Sequence, residues 1–209
     1  MKRPIGVFVA IAALCLSALP VQAATPALNP NGRLLGVVPV REFAKAGHHG
    51  GGGSSNLSYH GGPTMHTNTT FAIFWGASGW DSGYQTLIER YFGDVQAAGA
   101  TSSNVYYSDT QYSDTVNGNI TQSSTFAGYL NDTSAYPPNG CNDRATSICL
   151  SDAQLQAEIQ ADMAATGWSG ANPTGGESQL IFIFTPKGVG SCAGSSCAYT
   201  NYCAYHSWI

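Results

Sequence analysis

Phe71-Ala72-Ile73-Phe74-Trp75 is an apolar run preceded by Asn and Thr residues and closed by Gly76, the pattern of a buried strand. Past Asp81 the period changes. Tyr84, Leu87, Ile88, Tyr91, Phe92 and Val95 recur at helical spacing, which predicts a helix with Asp81 as N-cap and Gly99 as its stop. Asn104 to Ser108, with Val105, Tyr106 and Tyr107, then reads as a second strand, so strand, helix and strand make a βαβ unit with parallel strands. Thr110 to Asn139 is polar and aromatic, with Gly118, Gly128 and Pro137-Pro138, and is expected to hold irregular excursions or a small hairpin. A capping box at Ser151-Asp152-Ala153-Gln154 opens a second helix, with Leu155, Ile159 and Met163 on one stripe and Gly167 closing it. Leu180-Ile181-Phe182-Ile183-Phe184 predicts a central strand covered on both faces, and Ala198 to Ile209 a last strand pairing with its neighbour. This order predicts an α/β fold: a layered sandwich with a mostly parallel core sheet, helices packed on it, and a disulfide-stapled C-terminal loop.

Ahead of this pattern stands a different one. Lys2 and Arg3 precede an apolar run from Ile5 to Leu19, and Val21-Gln22-Ala23 offers small residues at a cleavage site, so residues 1–23 read as a secretory signal peptide. The apolar run is too short to span a bilayer, and no later segment is longer, so no membrane span is expected. Residues 24–55 carry the Gly47-His48-His49-Gly50-Gly51-Gly52-Gly53-Ser54-Ser55 stretch and read as a disordered tail and linker; residues 56–209 form the domain. His48 and His49 on such a hinge are not preorganised for a metal.

Composition narrows the function. Charged residues are only 10% of the chain and the formal net charge is −4, so the surface is wetted mainly by neutral hydroxyl and amide groups. Capture of nucleic acid or anionic lipid is excluded by that balance. A secreted, extracellular protein fits it. Of the six cysteines, Cys15 falls in the leader. The others, Cys141, Cys149, Cys192, Cys197 and Cys203, are odd in number, and in an oxidising compartment most are expected to pair. Sequence leaves the connectivity open. The shortest closures, Cys141 with Cys149 and Cys192 with Cys197, are preferred, leaving Cys203 without a partner.

Several constellations invite chemistry. Tyr59-His60-Gly61-Gly62-Pro63 has the look of an oxyanion loop, but the G-x-S-x-G nucleophile elbow is absent, so the loop has no serine to serve. Cys192, Cys197, Cys203 and His206 are spaced more widely than structural zinc prefers, and secretion favours their oxidation. Asp81, Asp109 and Asp114 offer carboxylates for glycoside hydrolysis, yet nothing ties two of them together. Tyr106, Tyr107, Tyr112, Tyr129 and Tyr136 offer rings to sugars, although tyrosine is equally at home in strands. Asn56, Asn68, Asn119 and Asn131 each begin an N-x-S/T sequon.

Two segments carry a resemblance. Asn56 to Pro63 followed by Phe71 to Gly76, together with Gly188 to Cys192, Cys197-Ala198-Tyr199 and Cys203-Ala204-Tyr205-His206, resemble the Exordium / phosphate-induced protein family in its bacterial form. The resemblance covers roughly Leu57 to Ile209 and implies an exported protein, a binding or signalling module of the cell wall or matrix with wall or matrix polysaccharide as partner. It implies no established reaction. The expected binding surface is Tyr59, His60, Gly61, Gly62, Pro63, Trp75 and His206, with no metal and no cofactor. Bacterial members continue beyond the position of Ile209 into a segment with a His-Glu helix, and the ending Ser207-Trp208-Ile209 inside an apparent strand reads as a truncated fragment. The alternative is therefore a secreted metal-dependent, peptidase-like hydrolase whose metal site, with zinc only in a full-length form, lies beyond Ile209.

Overall fold

The computed structural model describes residues 36–39, 64–168 and 177–206. Among these, the core sheet has three parallel strands, β2 (Thr67–Trp75), β5 (Ser123–Asp132) and β7 (Glu177–Phe184), with β2 in the middle. The chain leaves β2 through helix α1 (Tyr84–Ala98), pairs β5 on one side, then passes through helix α2 (Asp152–Thr166) to pair β7 on the other side. The two helices cover opposite faces. Ala72 and Phe74 point to Ile88 and Phe92 of α1, whereas Ile73 and Trp75 point to Leu155 and Ile159 of α2. The period-2 alternation of a strand makes this division, and it explains why every residue from Phe71 to Trp75 is apolar. Fully burying each of the larger side chains stabilises the fold by roughly 1.5–3 kcal/mol. The expected layered α/β architecture with a parallel core sheet is therefore present.

Three strand assignments in the core sheet differ from their sequence reading. Asn104 to Ser108 is not a strand. Asn104 is buried and its Nδ2 donates to the carbonyls of Val95 and Gly99, closing the end of α1, and a 3₁₀ turn follows at Tyr107–Gln111. The second parallel strand is β5, whose alternating partly buried and exposed positions carry little apolar signal; among the described residues it pairs with β2 on one side. Leu180 to Phe184 lies in β7 at the side of the described sheet, and the central place belongs to β2. Phe182 is accordingly exposed.

The helix ends show why one cap was legible and the other was not. Ser151 caps α2 with its hydroxyl accepting from Gln154 N–H while the Gln154 side chain accepts from Ser151 N–H, and Gly167 ends the helix in the left-handed region at φ 74. At α1 the cap is Gly83, left-handed at φ 78, with no side-chain bond; Asp81 only accepts the Tyr84 N–H through its carbonyl. Just before β5, Gln122 takes a left-handed φ of 51.

Smaller sheets complete the domain. The hairpin β3 (Ser113–Asp114) and β4 (Gly118–Asn119) stands where the polar segment was expected to hold one. β6 (Ile148–Ser151) runs parallel to β8 (Val189–Ala193), which turns back into β9 (Ser196–Cys197). Disulfides join Cys141 to Cys149 and Cys192 to Cys197, and Cys203 is free and exposed. Cys149 and Cys192 sulfurs lie 3.5 Å apart, so the two bridges pack on one another. The last strand, β10 (Tyr202–His206), pairs antiparallel with β1 (Gly36–Pro39), a segment the sequence placed in the tail. Tyr205 anchors β10 to α2 by donating its hydroxyl to buried Asp152, and burial, reinforced by that carboxylate, pushes the phenol pKa up.

Candidate functional site

Two features gather at the carboxyl ends of the parallel strands, the edge where open α/β sheets place ligands. The first is acidic. Asp132 ends β5, and Glu158 and Asp162 stand one turn apart on α2, with carboxylate oxygens of all three within 4.8 Å of one another. Ser134 sits among them. Its Oγ accepts the Trp75 indole N–H at 2.9 Å and lies 3.0 Å from Asp132 Oδ2 and 2.9 Å from Glu158 Oε1. One hydroxyl proton serves only one of those two carboxylates. Asp132 also accepts the Ser134 N–H, at 2.7 Å. Burial, then the neighbouring Asp132 and Glu158 charges, push the Asp162 carboxyl up to about 6; burial also raises Glu158, against a lowering hydrogen bond from Ser134.

The frame of this cluster is rigid. Trp75 is fully buried and packs against Tyr136, whose hydroxyl donates to the Trp75 carbonyl. Gly76 follows at φ 138, and a Cβ there would overlap the Tyr136 hydroxyl and press on Pro186, so glycine is required for this close approach.

The second feature is an open groove of about 450 Å³ between the loops that leave β2 and β7, the point where the strand order changes direction. Gly79, Trp80, Asp81 and Tyr84 form one wall, Thr185, Pro186 and Lys187 the other, and Tyr199 closes the end. Trp80 and Tyr84 stack, with ring centroids 5.8 Å apart, and the Trp80 N–H is fixed on the Gly76 carbonyl. Tyr199 is 54% exposed and holds a left-handed φ of 63, a conformation costly for a residue of this bulk. Burial, and secondarily Tyr199, push the Tyr84 phenol above its usual value.

At the opposite, amino end of the strands, a smaller cavity of about 240 Å³ borders His66. His66 Nε2 donates to Asp114 Oδ2 at 2.8 Å and Nδ1 faces the Asn119 carbonyl at 3.1 Å, pinning the β3–β4 hairpin to the start of β2. Backbone N–H of Asn117, the His66 side chain and backbone N–H of Val116 hold the Asp114 carboxyl at about 2. Such a depressed carboxyl stabilises the fold above its unfolded value near 3.8, and that contribution is lost as pH falls toward 2. Asp114→Asn is expected to lower the urea midpoint at pH 6 and to flatten its dependence between pH 4 and about 2; an unchanged acid limb would remove this carboxylate from the account.

The residues expected from sequence distribute unevenly. Tyr59, His60, Gly61, Gly62 and Pro63 lie outside the described residues, as do His48 and His49. Trp75 is no binding surface, because its ring is wholly inside; it braces the acidic cluster instead. His206 is exposed at the end of β10, opposite Gly36 of β1. Asp81 lines the groove, while Asp109 borders the smaller cavity. Asp132, Ser134, Glu158, Asp162, Trp80, Tyr84 and Tyr199 were not singled out for the site. Glu158 and Asp162 carried a signal, since like charges four apart disfavour an isolated helix and call for a reason.

The chain is therefore an α/β protein with a parallel core sheet, an acidic cluster and an aromatic-lined groove at the carboxyl edge of that sheet, and two disulfides. Comparison with family models, curated proteins and solved structures finds no match for it.

Proposed function

We propose that this is an exported, Exordium-like binding module of the cell wall or matrix, and that it holds a neutral polysaccharide in the groove of Trp80, Tyr84 and Tyr199. The observation that carries the reading is the aromatic lining of an open groove at the switch point of the sheet. Sugar rings present C–H faces that lie on aromatic rings, and their hydroxyls suit the Asp81, Thr185 and Lys187 side chains beside them. The strained backbone of Tyr199 supports the reading, because strain of this kind clusters at ligand clamps. The low charge and the two disulfides agree with an extracellular setting.

The test is retention of the oxidised protein on insoluble cellulose and chitin, with titration of cello- and chito-oligosaccharides. Tyr199→Gly removes the ring and relieves the left-handed strain, so its fold is preserved while affinity falls about five- to tenfold, the worth of roughly 1–1.4 kcal/mol for one stacking ring. Equal retention of this variant, or no retention of the parent on either polymer, would sink the reading.

A further inference from the structure

Among the described residues no cationic side chain pairs with the carboxylates at the end of β5 and on α2: the ion pairs are His66–Asp114 and Arg90–Asp94, and neither touches Asp132, Glu158 or Asp162. Ser134, held by the Trp75 indole N–H on its Oγ, supplies the neutral contacts, and it reaches Asp132 and Glu158 only. Asp162 is different. Its side chain is directed into the cluster, the residue is only 7% exposed, and its Oδ2 is shielded from solvent with no hydrogen-bond donor. A buried carboxylate oxygen without a donor is costly unless something positive reaches it.

The spacing says what reaches it. A calcium ion bonds carboxylate oxygens at about 2.3–2.6 Å, so two ligands on one ion stand at most roughly 5 Å apart. The three oxygens here fall within 4.8 Å of one another, a spacing that a single ion can bridge. We propose that Asp132, Glu158 and Asp162 form a calcium site that clamps the middle of α2 to the end of β5. The donor set is all oxygen, with no imidazole or free thiolate, which suits a hard cation and not zinc. Three carboxylates at an irregular strand-to-helix junction favour calcium over magnesium, which demands near-octahedral geometry and keeps its waters. Glu158 is half-buried and Ser134 exposed, so the open side leaves room for water to complete the coordination. This site is separate from the aromatic groove and does not depend on the polysaccharide reading.

The test uses the full, oxidised chain, melted in EGTA, in calcium chloride at about 5 mM and in the same concentration of magnesium chloride, with calorimetric titration of calcium alone. The expected result is one saturable calcium per chain, with a Kd on the order of 10⁻⁵ to 10⁻³ M, and a Tm several degrees higher in calcium than in EGTA. Asp162→Asn keeps the shape of the side chain and removes its charge; it is expected to weaken calcium binding at least about tenfold and to abolish the Tm rise. Glu158→Gln is the second variant, and Asp94→Asn, at an exposed pair on α1, the control that leaves both readouts unchanged. Absence of saturable binding by the parent would overturn the proposal, as would an Asp162→Asn protein that binds as tightly as the parent. A larger Tm rise in magnesium would overturn the assignment to calcium.

Discussion

Trp75→Ala is expected to destabilise the protein by about 3–5 kcal/mol, the range for removing a large buried aromatic side chain. Several effects add at this one position. The ring is fully buried at the end of the central strand, it packs on Tyr136, and its N–H is the donor that holds Ser134 between two carboxylates. Removing it leaves a cavity beneath α2 and removes a fixed donor from an acidic cluster. In a domain of this size the Tm falls by roughly 10 °C or more. Trp75→Phe separates the contributions, because it keeps most of the apolar volume and loses only the donor; its loss is expected to be less than half as large. A urea titration of the three proteins decides the matter. Equal midpoints for the parent and Trp75→Ala would contradict the packing described for α2 against β2.

Replacing both Cys141 and Cys149 by alanine is expected to lower stability by about 2–3 kcal/mol. The bridge closes a short loop, with a sequence separation of 8, and restricts the unfolded chain accordingly. Its site in the fold adds to this, since Cys149 is 2% exposed in β6 and the loop it closes leads from the acidic cluster to α2. The Cys192–Cys197 bridge, with a separation of 5, is expected to contribute less. Because the Cys149 and Cys192 sulfurs touch, removing both bridges together is expected to depart from the sum of the separate losses. The check is a set of thermal melts of the parent and the two double variants, with and without reductant. A parent whose Tm is unchanged by reductant would show that neither bridge contributes.

The parts of this fold legible in the sequence are those where one local rule acts alone. The capping box at Ser151 and the glycine at 167 bound α2 because their chemistry lies within a single turn. The run Phe71 to Trp75 announces itself because a strand covered on both faces has no polar position to spare. β5 escaped notice for the opposite reason: it spells Ser-Ser-Thr-Phe-Ala-Gly-Tyr-Leu-Asn-Asp, with Ser123, Thr125, Ala127, Tyr129 and Asn131 exposed, so no continuous apolar run marks it. The pairing of β1 with β10 joins residues far apart in the chain, and no local pattern records it. The acidic cluster is illegible for the same reason. Glu158 and Asp162 are visibly neighbours on a helix, but Asp132 joins them only because β5 ends where α2 passes, and Trp75 reaches Ser134 only because β2 pairs with β5 so that Trp75 lies opposite Asp132. Disulfide pairing was open on the residues alone; short loop closure pointed to the bridges that the fold contains.

The middle strand of the sheet has a kinetic consequence. β2 is synthesised early, yet its second neighbour, β7, is not complete until Phe184 has been made. Until then β2 has only α1 and β5 to pack against, and long-range parallel pairing of this kind is slow to form. A nascent chain with such a delayed closure stays pliant for most of its synthesis. For a protein proposed to be exported, such late closure leaves the sheet open while the chain is still being made.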